Sequence, residues 1–259
     1  MLRIMNLTQD IKQVAKKTAT RTSVLIPPLP WDKPVVCGNN KDEKSNEVVI
    51  TLHGLWRSVR AMQPLANYFH ESDYTTVNIP YASFRHDLED LAQLVIKEIQ
   101  PWLDKEKKVH FVTHSLGGVV VKKLLDLLSA KDFRKIGRVV MLAPPHKGSE
   151  IVDWLKSSPL RPLKGVLGPA GEFLSSKCMA QERGELRSGV DAAVIMGEKS
   201  ALPFFRSLLE ASNDGIISVE KGKLLGVNYF KVVDSDHTFI SSNQKVMKMV
   251  KCFIQTGEL

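Results

Sequence analysis

The stretch KKVHFVTHSLGGVVVKKLL, residues 107–125, places Ser115 where an apolar run meets a run with helical spacing. A serine hydroxyl is a poor nucleophile at neutral pH. It attacks a carbonyl only with a base in reach and with hydrogen-bond donors aimed at the oxyanion that develops. A sharp strand–turn–helix supplies part of this, because it lifts the serine clear of the sheet and points the first N–H groups of the helix at the same spot. The turn crowds the positions two before and two after the serine. Gly117 meets that demand, and Gly118 lets the helix pack close to a neighbouring strand. Thr113 breaks the G-x-S-x-G pattern at its first position, where a small β-branched residue is tolerated and its hydroxyl can bond locally. Taken alone, the stretch can also be read as a capping serine at a strand–helix junction.

The residues that would complete such chemistry lie far away in the chain. VVDSDHTFI puts His237 just past an apolar run and ahead of the last helical stretch, and EASNDGIISVEKG puts Asp214 in a turn. LHGLWRS sets His53-Gly54-Leu55 at the tip of an earlier strand, where a backbone N–H can face the site. The order Ser115, Asp214, His237 is the nucleophile–acid–base order of the nucleophile-elbow architecture. Asp234 and Asp236 compete for the acid role. A carboxylate so near His237 in sequence seldom reaches the far ring nitrogen, so Asp214 is preferred, and Asp191, at the start of a strand, is poorer. Of the seven histidines, His114 is expected to pack or hydrogen-bond beside the serine, His53 to brace its loop and His146 to line the mouth of the site. His70, His86 and His110 read as ordinary helix-surface or strand residues.

The elements that must position these groups follow from hydrophobic periodicity. NEVVITLHG, YTTVNIPY, VHFVT, RVVMLAPP, DAAVIMG and YFKVVD read as six strands. A helix is predicted after Ser83 or Asp87, with Leu88, Leu91, Leu94, Val95 and Ile99 on one face. Further helices are predicted over Leu116 to Ala130 and over the terminal QKVMKMVKCFI. Strands buried on both faces and alternating with amphipathic helices imply an α/β fold, a mostly parallel central sheet with helices on both faces. All three candidate side chains then fall at strand C-terminal ends, on one edge of the sheet. Residues 147–189, rich in Pro, Gly, Leu and Lys without a clear strand, form a lid-like insertion or a plain surface excursion. Ile151, Val152, Trp154, Leu155, Leu160, Leu163, Val166, Leu167 and Phe173 supply apolar groups there, to cover an acyl chain or to fill the interface with the core.

With these segments in place, the chain resembles the α/β-hydrolases of the lipase and esterase type from about Glu47 to its C-terminus. HGLWRS, THSLGG, LAPPHKGS, NDGIISVE and the final Asp-His stretch occur in that family's order. LAPPHKGS resembles the TPHxGS segment of many bacterial and PGAP1-like lipases, and NIPYASFRHDLEDLA resembles a segment of small lipases related to them. The resemblance implies an α/β-hydrolase fold over residues 1–259 as one domain. It implies Ser115 as nucleophile, His237 as base and Asp214 as the acid that orients it. The N–H groups of Leu55 and Leu116 become the oxyanion hole. Cleavage of a small-molecule or lipid carboxylic ester is expected, with no metal and no organic cofactor. An acyl-thioesterase or acyltransferase on the same three residues is the alternative. A non-catalytic binding scaffold is the third reading, although such scaffolds typically lose the nucleophile or the base.

Bulk composition bounds these readings. A chain of 259 residues, 43% apolar and 25% charged, can bury a sizeable core. The net charge of +8 comes from 36 basic and 28 acidic residues that are interspersed, with no zinc-finger spacing and no aromatic–basic RNA-binding signature, so nucleic acid is not an expected partner. Cys37, Cys178 and Cys252 are far apart and odd in number, which fits a reducing compartment better than a disulfide framework. No apolar run approaches the ~18 residues of a membrane span and no secretory h-region opens the chain. A cytoplasmic location is therefore expected. In residues 1–20, Ile4, Leu7, Ile11 and Val14 recur at helical spacing opposite Lys12, Lys16 and Lys17. That pattern predicts an amphipathic helix and leaves open peripheral membrane contact or an organelle presequence.

Overall fold

The computed structural model describes residues 35–37, 46–105, 107–158, 165, 167–182, 184–200, 208–209 and 212–259. The amphipathic helix expected over residues 1–20 lies outside them. The centre of the molecule is a seven-stranded sheet. Its strands are β1 (Val35–Cys37), β2 (Glu47–Leu52), β3 (Thr75–Ile79), β4 (Lys108–His114), β5 (Ile136–Leu142), β6 (Asp191–Gly197) and β7 (Tyr229–Val233), in spatial order β1-β3-β2-β4-β5-β6-β7. All neighbours are parallel except β1, which adds antiparallel to β3 at one edge. The six expected strands are all present. β1 is additional, three residues long, too short for a periodicity to show.

Helices fill the crossovers: α1 (Val59–His70), α2 (Leu88–Asp104), α3 (Leu116–Leu127), the single turn α4 (Ala130–Phe133) and, at the end of the chain, α8 (Gln244–Thr256). α2 packs on α3, and α1 on α8. Right-handed crossovers put the first pair on one face of the sheet and the second on the other. Asp87 caps α2, its side chain accepting from the Asp90 amide at 2.9 Å. Ser83, the other expected cap, instead accepts the Trp56 amide at 3.2 Å. α1 was not legible as a helix. Its buried Val59, Met62, Leu65, Ala66 and Phe69 keep helical spacing around an internal Pro64.

Residues 147–189 hold α5 (Glu150–Ser157), α6 (Gly168–Phe173) and α7 (Ser176–Met179), with no strand among the described residues. Gly168, at φ 66°, lies so close to the Phe84 carbonyl that a Cβ would sit 1.9 Å from its oxygen. The Ala170 amide donates to the His86 carbonyl at 3.1 Å, so α6 docks on the loop that precedes α2. Among the described residues, no helix is long and apolar enough to cross a membrane.

The strand order reverses between β2 and β4. The chain leaves β2 to one side for β3, then returns across it to β4 on the other. Ligands of open α/β sheets sit outside the strand C-termini at such a switch point. Leu52 pairs with Thr113 there, so the loops after β2 and β4 start side by side.

Gly117 tests how tightly the switch point is packed. A Cβ on it would lie 2.8 Å from the Leu52 carbonyl oxygen and 2.9 Å from that of His53, both backbone atoms that cannot step aside. Helix propensity alone favours Gly→Ala by about 1 kcal/mol, whereas overpacking costs about 1–3 kcal/mol. Gly117→Ala is therefore expected to lower the unfolding free energy in urea denaturation; a stabilised variant would mean that the contact is looser than described.

Candidate active site

Ser115 links β4 to α3 with φ 53° and ψ −122°, a conformation that non-glycine residues adopt only under constraint. The constraint is visible. The Ser115 amide donates to the Leu142 carbonyl of β5 at 2.8 Å, and the Gly118 amide donates back to the Ser115 carbonyl at 2.8 Å. Gly118 gives α3 its approach to β5, since a Cβ there would lie 2.8 Å from Pro144. Thr113 is fully buried and its hydroxyl reaches the Val140 carbonyl of β5 at 3.4 Å. The threonine that breaks the usual pattern is thus accommodated sideways, towards the neighbouring strand.

The loop after β2 closes over this turn. A Cβ on Gly54 would stand 3.0 Å from the Ser115 Cβ, so the glycine is what lets the Leu55 backbone come this near. The Arg57 amide donates to the Gly54 carbonyl at 3.2 Å, closing a turn over residues 54–57. His53 braces it. Its ring lies flat on Tyr81, centroids 4.2 Å apart, its Nδ1 donates to the Gly54 carbonyl at 2.9 Å, and the Tyr81 hydroxyl donates to the His53 carbonyl. Leu116, the first residue of α3, follows Ser115 directly, so its N–H belongs to the helix N-terminus that has no intrahelical acceptor.

Asp214 and His237 arrive from loops after β6 and β7. The imidazole Nδ1 lies 2.7 Å from Asp214 Oδ2. A carboxylate only accepts, so Nδ1 carries a proton, and the lone pair of the neutral imidazole is then the one on Nε2. The second carboxylate oxygen, Oδ1, accepts the amides of Ile216 at 3.0 Å and Ile217 at 2.8 Å, which fixes the plane of the acid. The His237 amide also donates to the Asp214 carbonyl at 3.0 Å. Asp236 is occupied otherwise: its Oδ1 caps its own loop by accepting the Thr238 and Phe239 amides at 2.9 and 3.0 Å. Asp234 is exposed, and Asp191 pairs with Arg138 at 3.8 Å.

Ser115 and His237 line one cavity of about 420 Å³, with Leu55 and Arg57 beside them. Its apolar wall combines Ile151, Val152 and Leu167 from the region after β5 with Leu174, Ile216 and Ile217. The last three were missed, although Ile216 and Ile217 lie two and three residues after the acid. Leu160, Leu163 and Val166 lie outside the described residues, and Trp154, Leu155 and Phe173 are not part of the described wall. Among the described residues, no group of His, Cys, Asp and Glu is arranged to hold a metal ion.

His114 is almost wholly buried, its ring 4.9 Å from that of His237, and its Nε2 donates to the His237 carbonyl at 2.8 Å. Burial holds its pKa well below the ordinary 6.5. His146 corrects an expectation. The turn that ends at Gly148, where the Gly148 amide donates to the Pro145 carbonyl at 3.0 Å, leaves Pro145 in the Ser115 cavity and turns His146 into a different one. Burial lowers its pKa to about 3. His110, also given no special context, is fully buried against Gly137 and accepts the Arg138 amide at 2.9 Å.

Residues 42–153 match the model of a family described as "Putative serine esterase (DUF676)", a span that holds Ser115 and ends before Asp214 and His237. Among curated proteins no match is found. Several solved structures are similar in fold. The lipase BlEst2 of Bacillus licheniformis in its mature form superposes with a TM-score of 0.68 at 17% identity, covering 87% of this chain and 98% of that one. Phospholipase PlaB of Legionella pneumophila gives 0.61 at 17% identity, over 82% of this chain and 60% of that one. YbtT, a type II thioesterase of the yersiniabactin pathway, gives 0.53 at 14% identity, over 86% and 97%.

The buried histidines make stability depend on pH. Their folded pKa values lie below that of an unfolded chain, so as pH falls below about 6.5 the unfolded state takes up protons that the folded state refuses. The unfolding free energy is expected to fall between pH 7 and pH 4, by up to about 1.4 kcal/mol per pH unit for each histidine. Urea denaturation at several pH values checks this, and His146→Phe should show a shallower slope; a pH-independent wild type would contradict it.

Proposed function

On the α/β-hydrolase fold that this chain adopts, we propose that Ser115, His237 and Asp214 form a catalytic triad that hydrolyses carboxylic esters through an acyl-enzyme. One observation carries the reading: a 2.7 Å Asp214–His237 hydrogen bond leaves the Nε2 lone pair of a histidine that shares a cavity with a strained, sheet-edge serine. His237 Nε2 takes the Ser115 proton as Oγ attacks the ester carbonyl. The N–H groups of Leu55 and Leu116 receive the oxyanion, each worth about 3–4 kcal/mol in comparable sites. His237 then returns its proton to the departing alcohol, and water, activated by the same imidazole, releases the acid. Asp214 stays ionised and holds the ring in the tautomer that works.

The cavity suits an apolar acyl group. Its volume of about 420 Å³ lies in the range of small-molecule sites, and the aliphatic wall offers an acyl chain little besides dispersion and desolvation. Residues 147–189 serve as a cap, through Ile151, Val152 and Leu167 over one side of the pocket. This favours a carboxylesterase or lipase acting on small-molecule or lipid esters. Thioester hydrolysis is the second reading, in line with the thioesterase that shares the fold, and it differs only in the leaving group.

A panel of p-nitrophenyl esters graded from two to about sixteen carbons tests the pocket. We expect kcat/KM to rise with chain length and then fall, because each buried methylene adds about 0.8 kcal/mol until the cavity is full. Asp214→Asn should lower kcat about 10³–10⁴-fold with the fold intact. A flat profile would argue against an acyl pocket, and near-normal turnover of Asp214→Asn would remove that residue from its role.

A further inference from the structure

A second cavity, about 860 Å³ in volume, shares no lining residue with the first. One loop separates them: Pro145 and Ser149 face the Ser115 cavity, and His146 and Lys147 face the other. The segment that carries Asp214 continues into Lys221–Leu225 on the far side. This cavity is unlike the first in chemistry. Met179, Leu224, Leu225 and Phe230 give it an apolar wall. Leu225 is 71% exposed, the highest value among the large apolar residues described, and it is continuous with the half-buried Phe230. An exposed leucine is ordinary by itself; one that extends the wall of an open cavity marks apolar surface left for a ligand.

Three lysines, Lys147, Lys221 and Lys223, border this wall, against the carboxylates of Glu182 and Glu220. Glu220 is divided between two of them, its Oε1 2.6 Å from Lys147 Nζ and its Oε2 2.6 Å from Lys223 Nζ. Lys221 Nζ donates to the neutral Ser176 hydroxyl at 2.8 Å, and an ammonium has three donors to give. Lys221 thus keeps ammonium donors to offer an anion where the apolar wall begins.

We propose that this second cavity binds a single-chain amphiphile with an anionic head group, its chain along Leu224, Leu225 and Phe230 and its head at Lys221 and Lys223. The volume lies in the range of small-molecule sites, and an anionic head group can accept from these ammonium donors while its chain covers the apolar wall. A long-chain carboxylate and an alkyl phosphate share this chemistry. The carboxylate is also the class of acid that the proposed ester hydrolysis releases, although the site stands on its own geometry.

Titration calorimetry on full-length Ser115→Ala tests it with three probes kept below their micellar concentrations: oleate, dodecyl phosphate and the uncharged 1-monooleoylglycerol. Because this variant cannot acylate at position 115, the outcome does not depend on whether Ser115 is catalytic. At least one anion is expected to bind one to one and at least about tenfold more tightly than the uncharged lipid. Whichever anion binds more tightly identifies the head group. Adding Lys221→Glu with Lys223→Glu, or Leu225→Asp, should weaken the anion about tenfold or more, whereas Ile151→Asp in the Ser115 cavity should leave it unchanged. Those lysines and Leu225 are exposed or half-buried, and unchanged urea midpoints would show that the variants fold. No binding, equal binding of charged and uncharged lipid, or binding lost with Ile151→Asp and kept with the lysine and Leu225 variants would overturn the proposal.

Discussion

The geometry at Ser115 rests on a backbone that cannot relax. With φ at 53° and ψ at −122°, the residue stores strain on the order of 1–3 kcal/mol, and it persists only because its surroundings over-determine it. Its amide is held by the Leu142 carbonyl of the next strand, and its carbonyl by the Gly118 amide one turn into α3. Three glycines make the fit possible. Gly54, Gly117 and Gly118 stand where a Cβ would meet Ser115, the Leu52 carbonyl and Pro144 at 3.0, 2.8 and 2.8 Å. The result brings the loop after β2, the turn after β4 and the end of β5 within van der Waals contact at the point where the strand order reverses.

The other half of the site is tied together by backbone as much as by side chains. The loops after β6 and β7 exchange a hydrogen bond from the His237 amide to the Asp214 carbonyl, beside the one between imidazole and carboxylate. His114 then joins this half to the first, since the residue next to Ser115 donates to the carbonyl of His237. Arg57 makes a second link, from the loop after β2 to the Thr238 hydroxyl at 3.1 Å. Four segments that are distant in sequence are therefore positioned by short polar contacts at one sheet edge, above a core of aliphatic strands that are buried almost completely.

Much of this was legible in the residues. β2, β4, β5 and β6 are buried on both faces and therefore read as continuous apolar runs, which alternate with amphipathic helices in a way that few architectures satisfy. Ser115 and His237 stood out because each closely follows a strand, and Asp214 because it falls in a turn between them, and the structure brings the three to one edge. What sequence could not give was set by contacts across the fold. α1 hid behind Pro64 and a mixed composition, though its apolar spacing is regular. His146 lies one residue beyond Pro145, and only the turn at Gly148 decides which cavity each of them faces. The wall contributed by Leu174, Ile216 and Ile217 joins two distant segments, a juxtaposition that no local pattern records.

The central claim is that the hydroxyl of Ser115 is an activated nucleophile, and labelling with a fluorophosphonate followed by intact-mass spectrometry tests it most directly. Wild type is expected to gain one phosphonyl group and Ser115→Ala, folded to the same extent, to gain none. Equal labelling of the two proteins, or a wild type that stays unmodified under conditions where a known serine esterase reacts fully, would contradict it.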